Sequence, residues 1–309
     1  MTTCTVMGGA GFIGSHLVDA LLRAGYEVKV FDRPHVDRLA QMTARPGIEA
    51  FSGDFLNSRS LVPALSGAQV VFHLISTTLP KSSSDNPAYD VESNVIGTLR
   101  LLGLCREQGV AKVVFMSSGG TVYGVPRALP IDEDHPTYPI SSYGIQKLTI
   151  EKYLHLAKRM HGLDYCILRG ANVYGPRQRL DIAQGAVAVF LDRMLKGKPI
   201  EIWGDGSVVR DYLYVEDLAG ALVKAATYGG EPRIFNVGSG VGTSLNELVS
   251  TLRSVTGAKL DVRYSAGRAV DVPANVLDCA RAQRELGWHP EVSLAEGVRR
   301  TYEWLRAGA

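Results

Sequence analysis

Residues 4–18, CTVMGGAGFIGSHLV, constrain the fold of this chain more than any other stretch. A short apolar run (CTVMG, 4–8) stops at a glycine-rich turn, and helical periodicity begins at once near Phe12. Leu17, Ala20, Leu21 and Ala24 then share one helix face. Gly8, Gly11 and Gly14 punctuate the turn. Glycine there lets backbone N–H groups close on a pyrophosphate, and the helix N-terminus favours its negative charge. Gly14 would also allow helix and strand to pack closely. The order strand, turn, helix therefore predicts a dinucleotide site faced by Gly8, Gly11, Phe12, Ile13 and Gly14, where a bare run of glycines would indicate only a tight turn.

Further apolar runs at VKVF (28–31), VVFHL (70–74), VVFMS (113–117) and CILRG (166–170) alternate with helical patterns that start near Asn57, Ala88 and Ser141. Strands apolar along their whole length, separated by helices, indicate a parallel sheet covered on both faces. The expectation is an α/β fold: a Rossmann-type doubly wound sheet over 1–172, to which 207–240 returns. After Arg169 the alternation breaks into a Gly-, Pro- and charge-rich loop (NVYGPRQRLDIAQG). Residues 173–206 and 241–309 are then expected to form a smaller, interleaved C-terminal α/β lobe that binds substrate. Its helices include SLNELVSTLRSVTG, with Ser244 as N-cap and Glu247 at the capping-box position, and SLAEGVRRTYEWLRA. Asp32 ends the second strand, where a carboxylate can accept from the adenosine ribose hydroxyls. That favours NAD over NADP, with Arg33 beside it. Asp54 and Phe55 follow the third strand, where Asp54 could meet the adenine, and Leu74 completes the expected cofactor-facing set.

Composition narrows the partners. The 309 residues are 46% hydrophobic and 21% charged, with a net charge of +2, so nothing suggests disorder or a nucleic-acid partner. No apolar run approaches a membrane span, and the N-terminus lacks a basic leader, so a soluble, cytoplasmic protein is expected. Cys4, Cys105, Cys166 and Cys279 show no CxxC or metal-ligand spacing and read as reduced core residues.

Of the thirteen tyrosines only Tyr143 has a lysine four residues on, in SSYGIQKLTIEKYL. On a helix, Tyr143 and Lys147 share a face. A phenol is a poor base at neutral pH, but a nearby ammonium and a positive nicotinamide stabilise its phenolate. The pair could take a proton from a sugar hydroxyl while hydride leaves the same carbon.

These features, with SSGGTVYG (117–124) and LRGANVYGPRQ (168–178), resemble the extended short-chain dehydrogenase/reductase superfamily and, within it, the UDP-glucose 4-epimerase group, over nearly the whole length. The resemblance implies tightly held NAD, a UDP-sugar substrate, a transient 4-keto intermediate and inversion at carbon 4. It implies a homodimer through helices near 88–109 and 141–161. It places Asn172, Arg210 and Arg268 at the diphosphate, with Asp271 close by, and Phe190, Ile202 and Trp203 as candidates to flank the uracil. Asn275 matches a position that is a bulky tyrosine in members restricted to glucose and galactose. UDP-N-acetylglucosamine and UDP-glucuronic acid are therefore alternative substrates. Where the group carries a serine or threonine that bridges sugar and tyrosine, this chain has Gly119. Ser118 is the expected replacement and Thr121 the second choice. The Thr-Asp-Glu run of sugar-nucleotide 4,6-dehydratases is missing at this place, which argues against dehydration. Thr77, Thr78 and Lys81 lie in a loop that could face the sugar. Two rivals are a net nucleotide-sugar reductase and a non-catalytic NAD-binding sensor or scaffold, which would have no use for the Tyr/Lys pair.

Overall fold

The computed structural model describes all residues except 1, 35–36, 44, 79, 181–184, 268–271 and 309. The chain opens with β1 (Thr3–Met7), α1 (Phe12–Arg23), β2 (Glu27–Asp32), α2 (Asp37–Thr43), β3 (Ile48–Ser52), α3 (Ser58–Leu65) and β4 (Val70–His73). It continues through α4 (Pro80–Asp85), α5 (Pro87–Asp90), a π-helical stretch (Val91–Ile96), α6 (Gly97–Glu107), β5 (Lys112–Ser118), α7 (Ser142–His161) and β6 (Asp164–Gly170). Then come β7 (Asn172–Tyr174), α8 (Ala186–Leu195), β8 (Ile200–Trp203), β9 (Val209–Tyr214), α9 (Val215–Thr227) and β10 (Ile234–Val237). The last elements are β11 (Gly242–Ser244), α10 (Leu245–Thr256), β12 (Val262–Ser265), β13 (Ala274–Asn275), α11 (Ala280–Leu286) and α12 (Leu294–Arg306).

A seven-stranded sheet runs β10-β6-β5-β4-β1-β2-β3, with β3, β2, β1, β4 and β5 parallel in turn. This is the doubly wound order, and the strand sequence reverses between β1 and β4, where such sheets hold their ligands. The strands are apolar because both faces are covered. Cys4, Val6, Met7, Val71, Phe72, Val113 and Val114 have no exposed surface. Each such buried aliphatic or aromatic side chain contributes about 1.5–3 kcal/mol.

The chain divides into two compact units: Met1–Gly124, Pro136–Arg169 and Ala219–Phe235 form one; Val125–His135, Gly170–Leu218 and Asn236–Ala309 form the other. The return to the first unit, expected over 207–240, is Ala219–Phe235, because β9 pairs with β7, β11 and β13 inside the second unit. Residues 125–135 also lie in the second unit, where Ile131 bridges Leu277. That unit has its own core of Val187, Phe190, Leu191, Tyr212, Leu248 and Val298. Its α10 starts at the capping box foreseen in the sequence: Glu247 N donates to Ser244 Oγ at 3.1 Å and Ser244 N to Glu247 Oε2 at 2.7 Å. The helix expected near Ala88 is instead three pieces in line, α5, the π stretch and α6. No helix among the described residues is long and apolar enough to cross a membrane.

Candidate active site

The glycine turn after β1 is closed to side chains. Gly8 has φ +85° and donates to Phe31 O at 2.8 Å. A Cβ on Gly14 would lie 2.1 Å from Gly8 O and 2.7 Å from Gly9 Cα, so no other residue fits that crossing of helix and turn. Helix α1 follows with Gly11 as N-cap and no side chain capping it, which leaves Phe12 and Ile13 at a helix start suited to an anion. Asp32 accepts from Ala10 N at 3.0 Å and from Arg33 N at 2.8 Å. Burial pushes its carboxyl above the ordinary carboxylate range, and those N–H groups hold it down. Leu74 N donates to Met7 O at 3.1 Å, and a Cβ on Gly8 would meet the Leu74 carbonyl carbon at 3.5 Å. Arg33 and Asp54 are exposed, and Asp54 accepts from Leu56 N at 3.0 Å. Phe55 is 5% exposed, with its ring centroid 5.5 Å from that of His73. A backbone cradle, an uncapped helix start and a carboxylate closing β2 fit a dinucleotide.

Helix α7 carries Tyr143 and Lys147. Ser141 caps it, accepting from Gly144 N at 3.2 Å. Lys147 is 3% exposed and donates to Met116 O at 3.0 Å; its Nζ lies 5.6 Å from the Tyr143 ring centroid and 4.8 Å from that of Phe115. Burial pulls the ammonium down to about 8, against the raising charges of Asp90 and Glu151. Burial pushes the Tyr143 phenol up to about 12, and the Asp90 charge adds to that. One turn beyond Lys147, Glu151 is fixed by Ser117 Oγ at 2.5 Å and by Arg169 through Nη2 at 2.6 Å and Nε at 3.1 Å. Arg169 Nη1 also donates to the Tyr123 hydroxyl at 2.9 Å. This commits Ser117 to the scaffold.

The turn after β5 holds the two hydroxyls that could replace the one missing at Gly119. Thr121 N and Val122 N both donate to Ser118 O, at 3.3 and 3.1 Å. A Cβ on Gly144 would lie 2.7 Å from Thr121 O, so Thr121 presses on the turn that carries Tyr143. Its Oγ1 is buried and has no hydrogen-bond partner among the described residues. Of the two expected replacements, Ser118 first and Thr121 second, Thr121 sets its backbone carbonyl against Gly144 of α7.

A polar network missed by sequence reasoning lies beside the pair. Asp90 has no exposed surface and accepts from Thr78 Oγ1, from Asn94 Nδ2 at 3.0 Å and from Ser142 Oγ at 2.7 Å. Thr77 N donates to Asn94 Oδ1 at 2.9 Å, and Tyr143 N donates to Ser83 Oγ at 3.0 Å. Thr77 and Thr78 thus tie their loop to the π stretch and α5; the Lys81 side chain is outside the described residues. The sequence signal was faint: DVESN places four polar residues on a helix, which reads as a solvated face.

In the second unit, Asn172 Nδ2 donates to Asp211 O at 3.2 Å, and Arg210 Nη1 to Val272 O at 2.7 Å and Val209 O at 2.8 Å. Asn275, 1% exposed, sits opposite Arg210 in the β13·β9 register. Asp211, fully buried between these arms, accepts from Ser239 N at 2.7 Å, Ser239 Oγ at 2.6 Å and Gly240 N at 3.2 Å. Phe190 and Ile202 are core residues, whereas Trp203 is 48% exposed. Arg268 and Asp271 lie outside the described residues.

Comparison with known proteins agrees with this chemistry. The profile of the NAD dependent epimerase/dehydratase family matches residues 4–238. A UDP-glucose 4-epimerase of Mycolicibacterium smegmatis is 40% identical over 307 residues, covering 97% of each chain. The structure of UDP-glucose 4-epimerase from Thermotoga maritima with UDP-glucose superposes with a TM-score of 0.92 at 39% identity, over 99% of each chain. That of the Thermus thermophilus enzyme with NAD gives 0.91 at 35% identity, over the full length of both.

Proposed function

Since this chain belongs to the NAD-dependent epimerase/dehydratase family, we propose that it inverts carbon 4 of a UDP-sugar, interconverting UDP-glucose and UDP-galactose. NAD would be held by the Gly8–Gly14 turn, the start of α1 and Asp32. When bound, it supplies the acceptor and donor of the hydride at carbon 4. The chain's own part is proton transfer. Tyr143 takes the proton of the 4-hydroxyl, with Lys147 stabilising the phenolate, and a 4-keto sugar results. Tyr143 returns the proton once the sugar has presented its other face. The Thr121 hydroxyl supports a bridging role between the sugar oxygen and Tyr143, ahead of Ser118. Asn172 and Arg210 would anchor the diphosphate with Arg268, Asp271 following three residues on, Trp203 would flank the uracil, and the moderate bulk of Asn275 leaves room for a substituent at carbon 2.

The observation that carries this reading is the Tyr143–Lys147 pair on the buried side of α7, ammonium 5.6 Å from the ring centroid. Proton NMR of the purified enzyme given UDP-glucose without added cofactor should show UDP-galactose appearing. Tyr143→Phe should cut turnover by about 10²–10⁴-fold, the usual yield of a positioned general base. UDP-N-acetylglucosamine and UDP-glucuronic acid, run in parallel, rank the alternatives for the sugar. Stoichiometric consumption of added NADH with no epimer would instead identify a net reductase.

The exposed apolar residues Ile145, Leu156 and Met160 share one face of α7, with Val91 and Ile96 exposed on the π stretch. A second copy of the chain is the partner this surface supports. A cytoplasmic setting is supported by four cysteines that are buried and unbridged.

A further inference from the structure

We propose that Asp90 is a positioning residue for Tyr143: a buried carboxylate that fixes the first turn of α7 and sets the electrostatic balance of the Tyr143–Lys147 pair. The inference deepens the epimerase reading and rests on it for the role of Tyr143. Both carboxylate oxygens are committed, Oδ1 to Thr78 and Asn94 and Oδ2 to Ser142, the residue before Tyr143. All three partners donate, so the arrangement suits the anion. A fully buried carboxylate is costly unless donors meet its oxygens, and here three do. The neighbours show what the retained charge acts on.

Around the pair, among the described residues, the facing charges are Asp90 from α5, Lys147 and Glu151 from α7, and the Arg169 that neutralises Glu151. His73 on β4 is buried and neutral. Asp85 on α4 and Glu92 on the π stretch are exposed. Among the described residues, Asp90 is thus the one buried carboxylate beside the pair that has no cation as hydrogen-bond partner. Its charge raises the Tyr143 phenol and also raises Lys147, whose burial alone would favour the neutral amine. The two effects serve a reversible reaction. Tyr143 must accept a proton on one face of the sugar and give it back on the other, so a phenolate held too firmly would stall the return. Asp90 restrains the stabilising pull of Lys147 while keeping that lysine charged. It also ties the Thr77–Thr78 loop to the start of α7 through a single side chain.

The test compares wild type with Asp90→Asn, which keeps the shape and removes the charge, and Thr78→Val, which removes a donor and leaves the charge less screened. Two readouts apply: the pH dependence of kcat/KM, and phenolate absorbance in the near ultraviolet, taken as each protein minus its Tyr143→Phe counterpart. In Asp90→Asn the acid limb and the Tyr143 phenolate titration should move to lower pH by about one unit, the scale expected of one nearby charge. In Thr78→Val both should move to higher pH. A purely structural role would change turnover or stability and leave both positions where wild type has them, and that result would overturn the proposal. Should Asp90→Asn not fold, Thr78→Val decides by the same criterion. The phenolate titration needs no substrate, so it judges Asp90 even if UDP-sugars prove not to be turned over, a failure that would count against the epimerase reading alone.

Discussion

At the scale of single residues, His73 shows what the site costs the fold. It is 1% exposed, with Nε2 2.8 Å from Thr98 Oγ1 and its ring against those of Phe55 and Phe115. Burial holds its pKa down to about 3, and the charge of Lys147 pushes the same way. The folded value lies below the ordinary 6.5, so between them the unfolded chain binds a proton that the folded chain does not. The neutral ring therefore contributes its full stability above pH 6.5 and loses it as pH falls toward 3. The slope for one proton is about 1.4 kcal/mol per pH unit. Unfolding free energies measured by urea between about pH 7 and about pH 5 should fall less steeply in His73→Gln than in wild type. Equal slopes would show that His73 is not the acid-sensitive group.

At the scale of elements, α7 is held at its start and at its middle. Its start is tied to Asp90 and Ser83, and its middle to β5 and β6 through Glu151, Ser117 and Arg169. Glu151→Gln leaves the buried Arg169 guanidinium without its counter-charge and should cost about 3–5 kcal/mol in urea unfolding. Replacing both partners with apolar residues should cost less than that single change. The parts of this arrangement that follow local rules were legible in the sequence. The glycine turn, the Tyr143–Lys147 spacing and the Ser244 capping box each need only residues within one turn or loop. What could not be read depends on contacts distant along the chain. Asp90 and Asn94 look like a solvated helix face until Thr78 and Ser142 are packed on them, and the two-residue strand β13 has no periodicity to find. Gly119 left Ser118 and Thr121 as candidates, and the close approach of the Thr121 carbonyl to Gly144 of α7 is a contact that no local pattern reveals.

At the scale of the molecule, the exposed stripe on α7 has a consequence for assembly. Leu156 and Met160 are 43% and 63% exposed on the face of α7 proposed above to meet a second copy of the chain. Leu156→Glu combined with Met160→Glu should convert a dimer to a monomer in size exclusion with light scattering, with the proton-transfer pair untouched. A monomeric wild type would place the dimer interface elsewhere or dispense with it. The interleaving of the two units bears on something else, the birth of the chain. The first unit closes only with Ala219–Phe235, and the sheet receives its edge strand β10 beside β6 only when residue 237 is made. By then Gly170–Leu218 has already been synthesised. The nascent sheet therefore waits with a bare strand at β6, open to mispairing, through the synthesis of more than sixty residues. Neither unit is one continuous piece of chain, so a recombination event that cuts once and joins once cannot exchange either of them whole.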